Sequence, residues 1–202
     1  MKLYNLAAGM NPLRLRVFLA EKGVDIPMVD LDMAKGENRT PEFLAINPLG
    51  TLPVLELDDG THLTESVAIC RYFEELHPEP HLFGTDTLSR AQVEMWNRRA
   101  ELELFLPAVD AFLHLSDFWK GLRPQVPEYG KLARERAQKT MAWFNDELAD
   151  REFLAGETYT VADITAQCGA LVAKNTVTDI PDGLPHFSRW FAAVSSRPTA
   201  RG

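Results

Sequence analysis

The first 80 residues alternate between short apolar runs and segments with helical periodicity. Residues 2–6 and 29–31 are short runs of the kind that forms strands. Between them, residues 12–22 have the boundaries typical of a helix, with Pro12 near the start and Gly23 just past the end. Because a helical crossover would join the two runs, we expect their strands to be parallel.

A second group of elements follows within the same 80 residues. Thr40 and Pro41 predict the N-cap and first residue of a short helix that ends near residue 46. Residues 54–57 and 62–63 read as two strands, and the intervening Asp58-Asp59-Gly60 is a hairpin signal.

The last helix of this region carries an apolar face of Ile69, Tyr72, Phe73 and Leu76 and ends at His77 and the proline after it. The predicted order is therefore β-α-β-α-β-β-α. That order is typical of a thioredoxin-like domain.

The remainder of the chain shows only helical patterns. A short polar segment with two prolines, residues 79–85, is typical of a linker. Residues 86–202 are predicted to form an all-helical domain, so the fold class is α/β plus all-α, with residues 1–78 as the first domain. Pro107 is expected to kink one helix. Three apolar stripes at helical spacing support the assignment: Leu102, Phe105, Leu106, Val109, Phe112 and Leu113; Ala137, Met141, Phe144 and Leu148; and Val161, Ile164, Thr165, Cys168, Leu171 and Val172.

Composition narrows the class of protein. With 46% hydrophobic and 25% charged residues, the chain has ordinary globular composition. A formal net charge of -8 argues against general binding to nucleic acid or anionic membranes, which requires clustered Lys and Arg. The start lacks a signal-like region and no apolar run approaches the roughly 20 residues that span a bilayer, so we place the protein in the cytoplasm.

The two cysteines, Cys70 and Cys168, lie far apart in helical apolar patterns. This placement argues against a disulfide framework or a zinc site. We expect two core thiols and no bound metal.

One segment carries a candidate binding site. Residues 47–55 read Asn-Pro-Leu-Gly-Thr-Leu-Pro-Val-Leu, so a turn feeds a strand through Pro53. A proline at the start of a strand leaves the preceding backbone groups free to pair with a peptide-like ligand. Ten residues later, Glu65 and Ser66 stand where a helix begins, which is a favourable place for a ligand carboxylate. The alternative reading of both residues is ordinary helix capping, and the two roles are compatible.

This proline strand, followed by the segment Thr64-Glu65-Ser66-Val67-Ala68-Ile69, resembles the glutathione-binding half of the cytosolic glutathione transferases. The loop at residues 35–44 and the segment Thr160-Val161-Ala162-Asp163-Ile164 also resemble motifs of that family. The resemblance implies a bacterial-type transferase with glutathione as co-substrate, a small hydrophobic or oxidised second substrate, a role in detoxification and a homodimeric state.

The resemblance also implies the positions that hold glutathione. Pro53 is expected to follow a cis bond, with the backbone of Leu52 pairing with the cysteinyl unit. Ser66 is expected to hold the γ-glutamyl carboxylate and Glu65 the ammonium group. Arg39 and, less strongly, Lys35 would hold the glycyl carboxylate. Asn38 stands where many relatives carry His, and Thr51 where Gln or Lys is common, which removes one ligand contact.

The group that stabilises the glutathione thiolate is expected in the turn at residues 7–12, because relatives place Tyr, Ser or Cys there. Here the common serine position falls on Gly9, and the position of the bacterial cysteine enzymes falls on Asn11. An Asn amide can donate a hydrogen bond to sulfur, so Asn11 is the catalytic candidate. Two alternatives stay open, a helix N-cap at Asn11 and thiol activation by a backbone N–H. Tyr4 is expected to point to the opposite face of its strand.

The second substrate is expected in an apolar pocket lined by Met10, Phe112, Phe118 and Trp119, although aromatic residues at such spacing are more often core. The reaction would be thiolate attack on an electrophile, a peroxide or a disulfide. A non-catalytic interaction module of the same fold is the alternative function. Thr160 and Asp163 are assigned a structural role as a capping box.

Overall fold

The computed structural model describes all 202 residues. The chain contacts divide it into two compact units, one of residues 1–81 together with 198–202 and one of residues 82–197. The predicted division into residues 1–78, 79–85 and 86–202 did not anticipate that the C-terminal residues belong with the first unit. The exact domain boundaries stay a prediction.

The first unit is built on a four-stranded mixed sheet in the order β2-β1-β3-β4. The predicted β-α-β-α-β-β-α order is confirmed, with boundaries displaced by one or two residues. Two 3-10 helices, Met33–Lys35 and Glu37–Arg39, lie between β2 and α2. The elements are β1 Lys2–Asn5, α1 Met10–Glu21, β2 Met28–Asp30, α2 Pro41–Ile46, β3 Val54–Glu56, β4 His62–Thr64 and α3 Ser66–Leu76.

Strand directions follow from the lengths of the connections. The crossover through α1 makes β1 and β2 parallel, with Leu3 opposite Met28. The tight connection around Gly60, where φ is +83°, makes β3 and β4 antiparallel, with Leu55 opposite Leu63. Both predictions of strand direction are therefore confirmed.

A buried ion pair joins the C-terminal ends of α1 and α3. The Lys22 ammonium lies 2.6 Å from the Glu74 carboxylate and donates to the carbonyl oxygens of Pro78 and Pro80 at 3.1 and 2.5 Å. Breaking such a buried pair by removing one partner typically costs about 3–5 kcal/mol, because the remaining charge stays buried. This pair therefore fixes the segment that leaves the first unit.

The second unit is entirely helical, as predicted. Its helices are α4 Thr87–Arg99, α5 Leu106–Leu115, α6 Pro127–Glu147, α7 Val161–Asn175 and α8 Pro185–Ser195, with a π-helical segment at Ala100–Phe105 and a 3-10 turn at Asp117–Trp119.

The π-helical segment corrects the predicted stripe that began at Leu102. Leu102 and Leu106 are 40% and 45% exposed, whereas Leu104 and Ala108 are fully buried. A wider π turn rotates the residues after it, so a 3.6-residue period carried across it misassigns the buried face. Pro107 lies just after this segment, and the kink expected at the proline stays a prediction.

Helix α7 is the centre of the second unit, as predicted. Its residues from Val161 to Ala170 are all buried. The predicted capping box is confirmed, since Thr160 is the N-cap and the Asp163 side chain accepts from the Thr160 N–H at 3.0 Å. Asp163 also accepts from the Leu154 N–H at 3.0 Å and the Trp190 indole N–H at 2.9 Å.

Cys70 and Cys168 are buried and form no disulfide, in agreement with the prediction. None of the helices is long and apolar enough to cross a bilayer.

The Asp163 carboxyl predicts a measurable pH dependence of stability. Burial raises its pKa from 3.8 to about 6. Because the folded state then holds a proton that the unfolded state has already lost, the contribution of Asp163 to the free energy of unfolding falls as pH rises from about 4 to about 6. Asp163→Asn should lose that dependence. It should also lower stability by about 1–3 kcal/mol, because an amide cannot accept from all of the donors to Asp163, which also include the Thr160 hydroxyl at 3.2 Å. Urea unfolding of both proteins across this pH range tests the prediction, and parallel pH profiles would contradict it.

Candidate active site

The sheet register brings the predicted site residues to one end of the first unit. Tyr4 pairs with Val54, and Val54 pairs with Thr64, so the end of β1, the start of β3 and the end of β4 are neighbours. Helix α1 begins after β1, and α3 begins after β4. The turn containing Asn11, the proline before β3 and the first residues of α3 therefore lie at the same end of the sheet.

The β1–α1 turn settles one of the alternatives for Asn11. Helix α1 begins at Met10 and its N-cap is Gly9, so the N-cap role considered for Asn11 is wrong. Asn11 is the second residue of the helix and is exposed. Its side-chain amide makes no hydrogen bond within the chain, and the N–H groups of Met10 and Asn11, in the first turn, have no helical acceptor.

The structure also explains why a glycine occupies position 9. A Cβ atom there would lie 2.9 Å from the Pro12 ring and 3.1 Å from Leu6. Pro12 fills the space that a serine at this position would need. A hydroxyl-bearing side chain at residue 9 would therefore require Pro12 to shift.

Arg16 holds the β1–α1 turn in place, which sequence reasoning missed. Its guanidinium donates to the Asn5 side chain at 2.8 Å and to the carbonyl oxygens of Leu6 and Ala7 at 3.3 and 3.0 Å. An arginine one helical turn beyond Pro12 gives no local signal of this role, because its partners precede it by nine to eleven residues. Tyr4 is occupied elsewhere, since its hydroxyl donates to Glu56 at 2.8 Å.

The peptide bond between Leu52 and Pro53 is cis, as the resemblance implied. The Leu52 side chain is buried with Phe43 and Val54. Its backbone N–H and C=O have no hydrogen-bond partner within the chain, because the β3 ladder begins only at Val54. These two groups are available to an extended ligand.

Glu65 and Ser66 form the start of α3. Glu65 is the N-cap and has φ +67° and ψ +110°, a conformation that non-glycine residues rarely adopt. Such a residue typically costs about 1–3 kcal/mol and persists where the surrounding structure imposes it. Neither side chain hydrogen-bonds within the chain, although Ser66 is buried. An exposed carboxylate and an unpaired hydroxyl thus stand together at a helix N-terminus.

Arg39 is held beside the turn that precedes the proline strand. Its guanidinium donates to the Leu49 carbonyl at 3.0 Å, and its neighbour Asn38, which is buried, donates to the Gly50 carbonyl at 2.7 Å. Asn38 therefore acts as a structural anchor at the position where relatives were expected to carry His.

Lys35 is less available than Arg39. Its ammonium forms an ion pair with Asp32 at 3.1 Å and is largely exposed. The hydrogen bond with Lys35, together with backbone N–H donors, holds the pKa of Asp32 below its usual value, while Asp32 raises the pKa of Lys35. A ligand carboxylate would have to compete with Asp32 for this ammonium group.

Thr51 is exposed next to the proline strand. Its carbonyl and hydroxyl oxygens accept from the buried Asn47 amide at 2.9 and 3.0 Å. The Asn47 side-chain oxygen also accepts from the Leu49 N–H at 3.2 Å. This hydrogen bond forms a short turn of the kind that an Asn followed by Pro-Leu-Gly predicts.

Three of the four residues predicted to line a second-substrate pocket form an aromatic cluster in the second unit. The Phe112 and Phe118 rings stack at 6.2 Å, and Trp119 packs edge-on against them at 5.7 and 4.9 Å. Phe118 is 65% exposed, so the cluster is not closed core. Met10, the fourth residue, is half-buried at the start of α1 in the first unit.

No group of three or more His, Cys, Asp or Glu side chains is arranged to hold a metal ion. The expectation that the protein uses no metal stays a prediction.

A thioredoxin-like unit with this cis-proline strand, followed by an all-helical unit, defines the class of glutathione transferase-like proteins. The family model for the glutathione S-transferase N-terminal domain matches residues 11–76, and that for the C-terminal domain matches residues 122–198. Glutathione S-transferase 2 of Saccharomyces cerevisiae is 36% identical over 100% of this chain and 88% of its own length.

Solved structures agree with the sequence comparisons. A glutathione S-transferase domain-containing protein of Marinobacter aquaeolei is 42% identical, with a TM-score of 0.93 and coverage of 99% of this chain and 100% of that one. Gtt2 of Saccharomyces cerevisiae is 36% identical, also with a TM-score of 0.93, and covers 100% of this chain and 99% of its own. This chain belongs to the glutathione transferase family.

Gly50 offers a test of the loop geometry. An Ala at this position would place its Cβ atom 2.7 Å from the Asn38 carbonyl oxygen and 2.8 Å from the Arg39 guanidinium, at φ +61°. Gly60 is the matched control, because its φ is +83° and nothing lies within 4 Å of its Cβ position. Both substitutions pay the cost of positive φ, but Gly50→Ala should lower the free energy of unfolding by about 1–3 kcal/mol more. Equal losses in urea unfolding would contradict the described loop.

Proposed function

We propose that this glutathione transferase binds glutathione at the end of the sheet where α1 and α3 begin and uses the glutathione thiolate as a nucleophile. The observation that carries the proposal is the set of unpaired groups gathered there. These are the Leu52 backbone, the Ser66 hydroxyl and the Asn11 amide with the first N–H groups of α1. Each is a group that an extended peptide with a carboxylate and a thiol would satisfy.

The tripeptide would lie across this end of the sheet. Its cysteinyl backbone would pair with the N–H and C=O of Leu52, extending the β3 ladder by one residue on the far side of Pro53. The γ-glutamyl carboxylate would accept from the Ser66 hydroxyl and from the free N–H groups at the start of α3, and Glu65 would accept from the γ-glutamyl ammonium.

The glycyl carboxylate would meet Arg39. The guanidinium uses one N–H on Leu49, and its remaining donors can form a bidentate pair with a carboxylate. Arg39 is the stronger candidate than Lys35 because Asp32 already engages the lysine. Thr51 would contribute through its hydroxyl hydrogen, since its oxygen already accepts from Asn47.

Stabilisation of the thiolate would come from the start of α1. A thiolate near a helix N-terminus is favoured by the macrodipole and by unpaired N–H groups, and its pKa falls below the usual value of about 8.5. The Asn11 amide adds a neutral donor that does not titrate. A donor of this kind stabilises the anion without itself taking up or losing a proton.

The second substrate would be a small hydrophobic electrophile, a peroxide or a disulfide. The partly exposed cluster of Phe112, Phe118 and Trp119 supports an apolar aromatic substrate. The turn with Asn11 rather than Ser or Tyr favours peroxide and disulfide chemistry over conjugation. A cytoplasmic location and a role in detoxification are part of the same proposal.

The alternative is a non-catalytic interaction module of the same family. That reading would suit a turn without Ser, Cys or Tyr. The retained cis-proline strand, the unpaired Ser66 hydroxyl and the strained Glu65 favour a glutathione binder, because none of these features is needed for a protein docking surface. Retention on a glutathione affinity resin distinguishes the two functions cheaply.

The glutathione site is tested by Ser66→Ala. Removing a hydroxyl that donates to a carboxylate should weaken binding about 10- to 100-fold, because hydrogen bonds to charged groups contribute about 1.5–3 kcal/mol. Titration calorimetry with glutathione measures the effect. Ser188→Ala, an exposed position on α8, is the matched control and should bind like wild type. Unchanged affinity in Ser66→Ala would refute the assignment.

The role of Asn11 is tested by turnover. Asn11→Ala should lower kcat for at least one of 1-chloro-2,4-dinitrobenzene, cumene hydroperoxide and hydroxyethyl disulfide by about tenfold or more, with little change in glutathione affinity. Asn11→Asp should be worse, because a carboxylate beside the sulfur opposes thiolate formation. The exposed Asn175→Ala is the control. Full activity in Asn11→Ala would leave thiol activation to the backbone N–H groups.

We also propose that the protein is a homodimer. Leu88, Met95 and Leu102 recur every seven residues from α4 into the π-helical segment and are 66%, 40% and 40% exposed. Apolar side chains aligned in this way on a helix surface are typical of a subunit contact.

Met95→Glu should therefore shift the protein towards monomer by raising the dissociation constant about tenfold or more. Sedimentation velocity at several concentrations measures the shift. Leu122→Glu, another exposed leucine but outside this stripe, should leave the assembly unchanged. A monomeric wild type, or a Met95→Glu variant that stays fully dimeric, would contradict the proposal.

A further inference from the structure

The first unit has a second concave surface at the end of the sheet opposite the candidate active site. It is a pocket of about 540 Å³. Its apolar wall comes from Val24, Ile26, Pro27, Phe73 and Leu76. Pockets of this size with apolar walls are large enough to receive one or two side chains.

The pocket has negative electrostatic character. Both α1 and α3 end there, at Lys22 and His77, so two helix C-termini with their partial negative charge face it. The exposed Asp25 carboxylate adds a full charge and forms no ion pair within the chain. The two ammonium groups among the lining residues do not offset this, because Glu74 pairs with Lys22 and Asp58 pairs with the N-terminal ammonium of Met1. A positively charged group would be favoured at this surface.

The pocket continues into a free strand edge. Asp25, Ile26 and Pro27 lead directly into β2, which lies at the edge of the sheet. The Leu3 N–H donates to the Pro27 carbonyl at 2.9 Å and the Leu31 N–H donates to the Asn5 carbonyl at 3.0 Å. Residues 27, 29 and 31 therefore turn their backbone groups towards β1.

Because backbone groups alternate along a strand, those of Met28 and Asp30 point away from the sheet. They have no partner within the chain. The Met28 and Val29 side chains are 43% and 38% exposed, so neither face of the edge is covered. Native edges are usually shielded, and an open one beside a pocket is suited to pairing with another segment.

We propose that β2 and this pocket form a docking site for an extended, basic segment of a partner protein. The segment would add to the sheet beside β2, pairing with the outward backbone groups of Met28 and Asp30. An apolar side chain of the segment would enter the pocket, and a Lys or Arg beside it would pair with Asp25. The -8 net charge of the chain favours the encounter with a basic partner.

The docking site is separate from the proposed glutathione site. Helix α1 has 12 residues, so its ends are about 18 Å apart, and Asn11 and the pocket lie at opposite ends of it. A docked segment would leave the glutathione site open. The proposal does not depend on the proposed catalytic function.

The test uses a blocked, fluorescein-labelled peptide of alternating Lys and Val and the whole protein. We expect saturable binding by fluorescence polarisation and slower amide hydrogen exchange at Met28 and Asp30 in the complex, measured by NMR. A peptide with Glu in place of each Lys should bind about tenfold or more weakly, because it reverses the charge that Asp25 would pair with.

Two variants separate docking from general charge attraction. Asp25→Lys should weaken binding about tenfold, and so should Met28→Pro, which removes an outward N–H without touching the ladder to β1. Glu157→Lys, an exposed position in the second unit with the same charge change, should bind like wild type. Unchanged thermal melting and glutathione affinity in all three would show that the fold is intact.

The proposal is overturned by binding that Glu157→Lys weakens as much as Asp25→Lys. It is also overturned by peptide binding without protection of Met28 and Asp30, and by the absence of binding. Protection of these amides that rises with protein concentration in the absence of peptide would instead assign the edge to a second copy of the chain.

Discussion

A helix cannot satisfy the first N–H groups of its own backbone, and this constraint organises the first unit of the protein. The sheet register places the first turns of α1 and α3 at the same end, beside a strand whose entry through Pro53 leaves the Leu52 backbone unpaired. Unpaired donors therefore accumulate at one place instead of being dispersed over the surface. A ligand rich in carboxylates and a thiolate is the natural complement to such a surface.

The rest of the unit keeps these groups in position without consuming them. Polar side chains fix the loops: the buried Asn38 holds Gly50, the buried Asn47 holds Thr51, and the half-buried Arg16 holds the β1–α1 turn. The groups left over, Ser66, Asn11 and the Leu52 backbone, are those with no structural task. Glu65 is also held in place by the surrounding structure, because its positive φ is unfavourable for a residue with a side chain.

Features that depend on local sequence were predicted well. The hairpin at Gly60, the short helix capped by Thr40 and the capping box of Thr160 and Asp163 each follow from a few neighbouring residues. Features that depend on distant contacts were not. The hydrophobic period of the sequence gives no sign of the π-helical segment before Pro107. The lack of space for a side chain at Gly9 is evident only from the positions of Pro12 and Leu6 in the fold. The hypothesis that Asn11 is an N-cap was wrong for a different reason. It took Pro12 as the first residue of α1, whereas the helix begins two residues earlier, at Met10. The assignment of individual site residues rests on the family resemblance and on which groups the fold leaves unpaired.

The proposed function depends above all on the start of α1, which would stabilise the glutathione thiolate. The most direct measurement is a pH titration of the ultraviolet thiolate absorbance of glutathione bound to the protein, at saturating protein and for wild type beside Asn11→Ala. We expect a thiol pKa at least about one unit below the free value near 8.5 in the wild type, and a higher value in the variant. A bound thiol that titrates as it does in free solution would show that the start of α1 does not stabilise the thiolate.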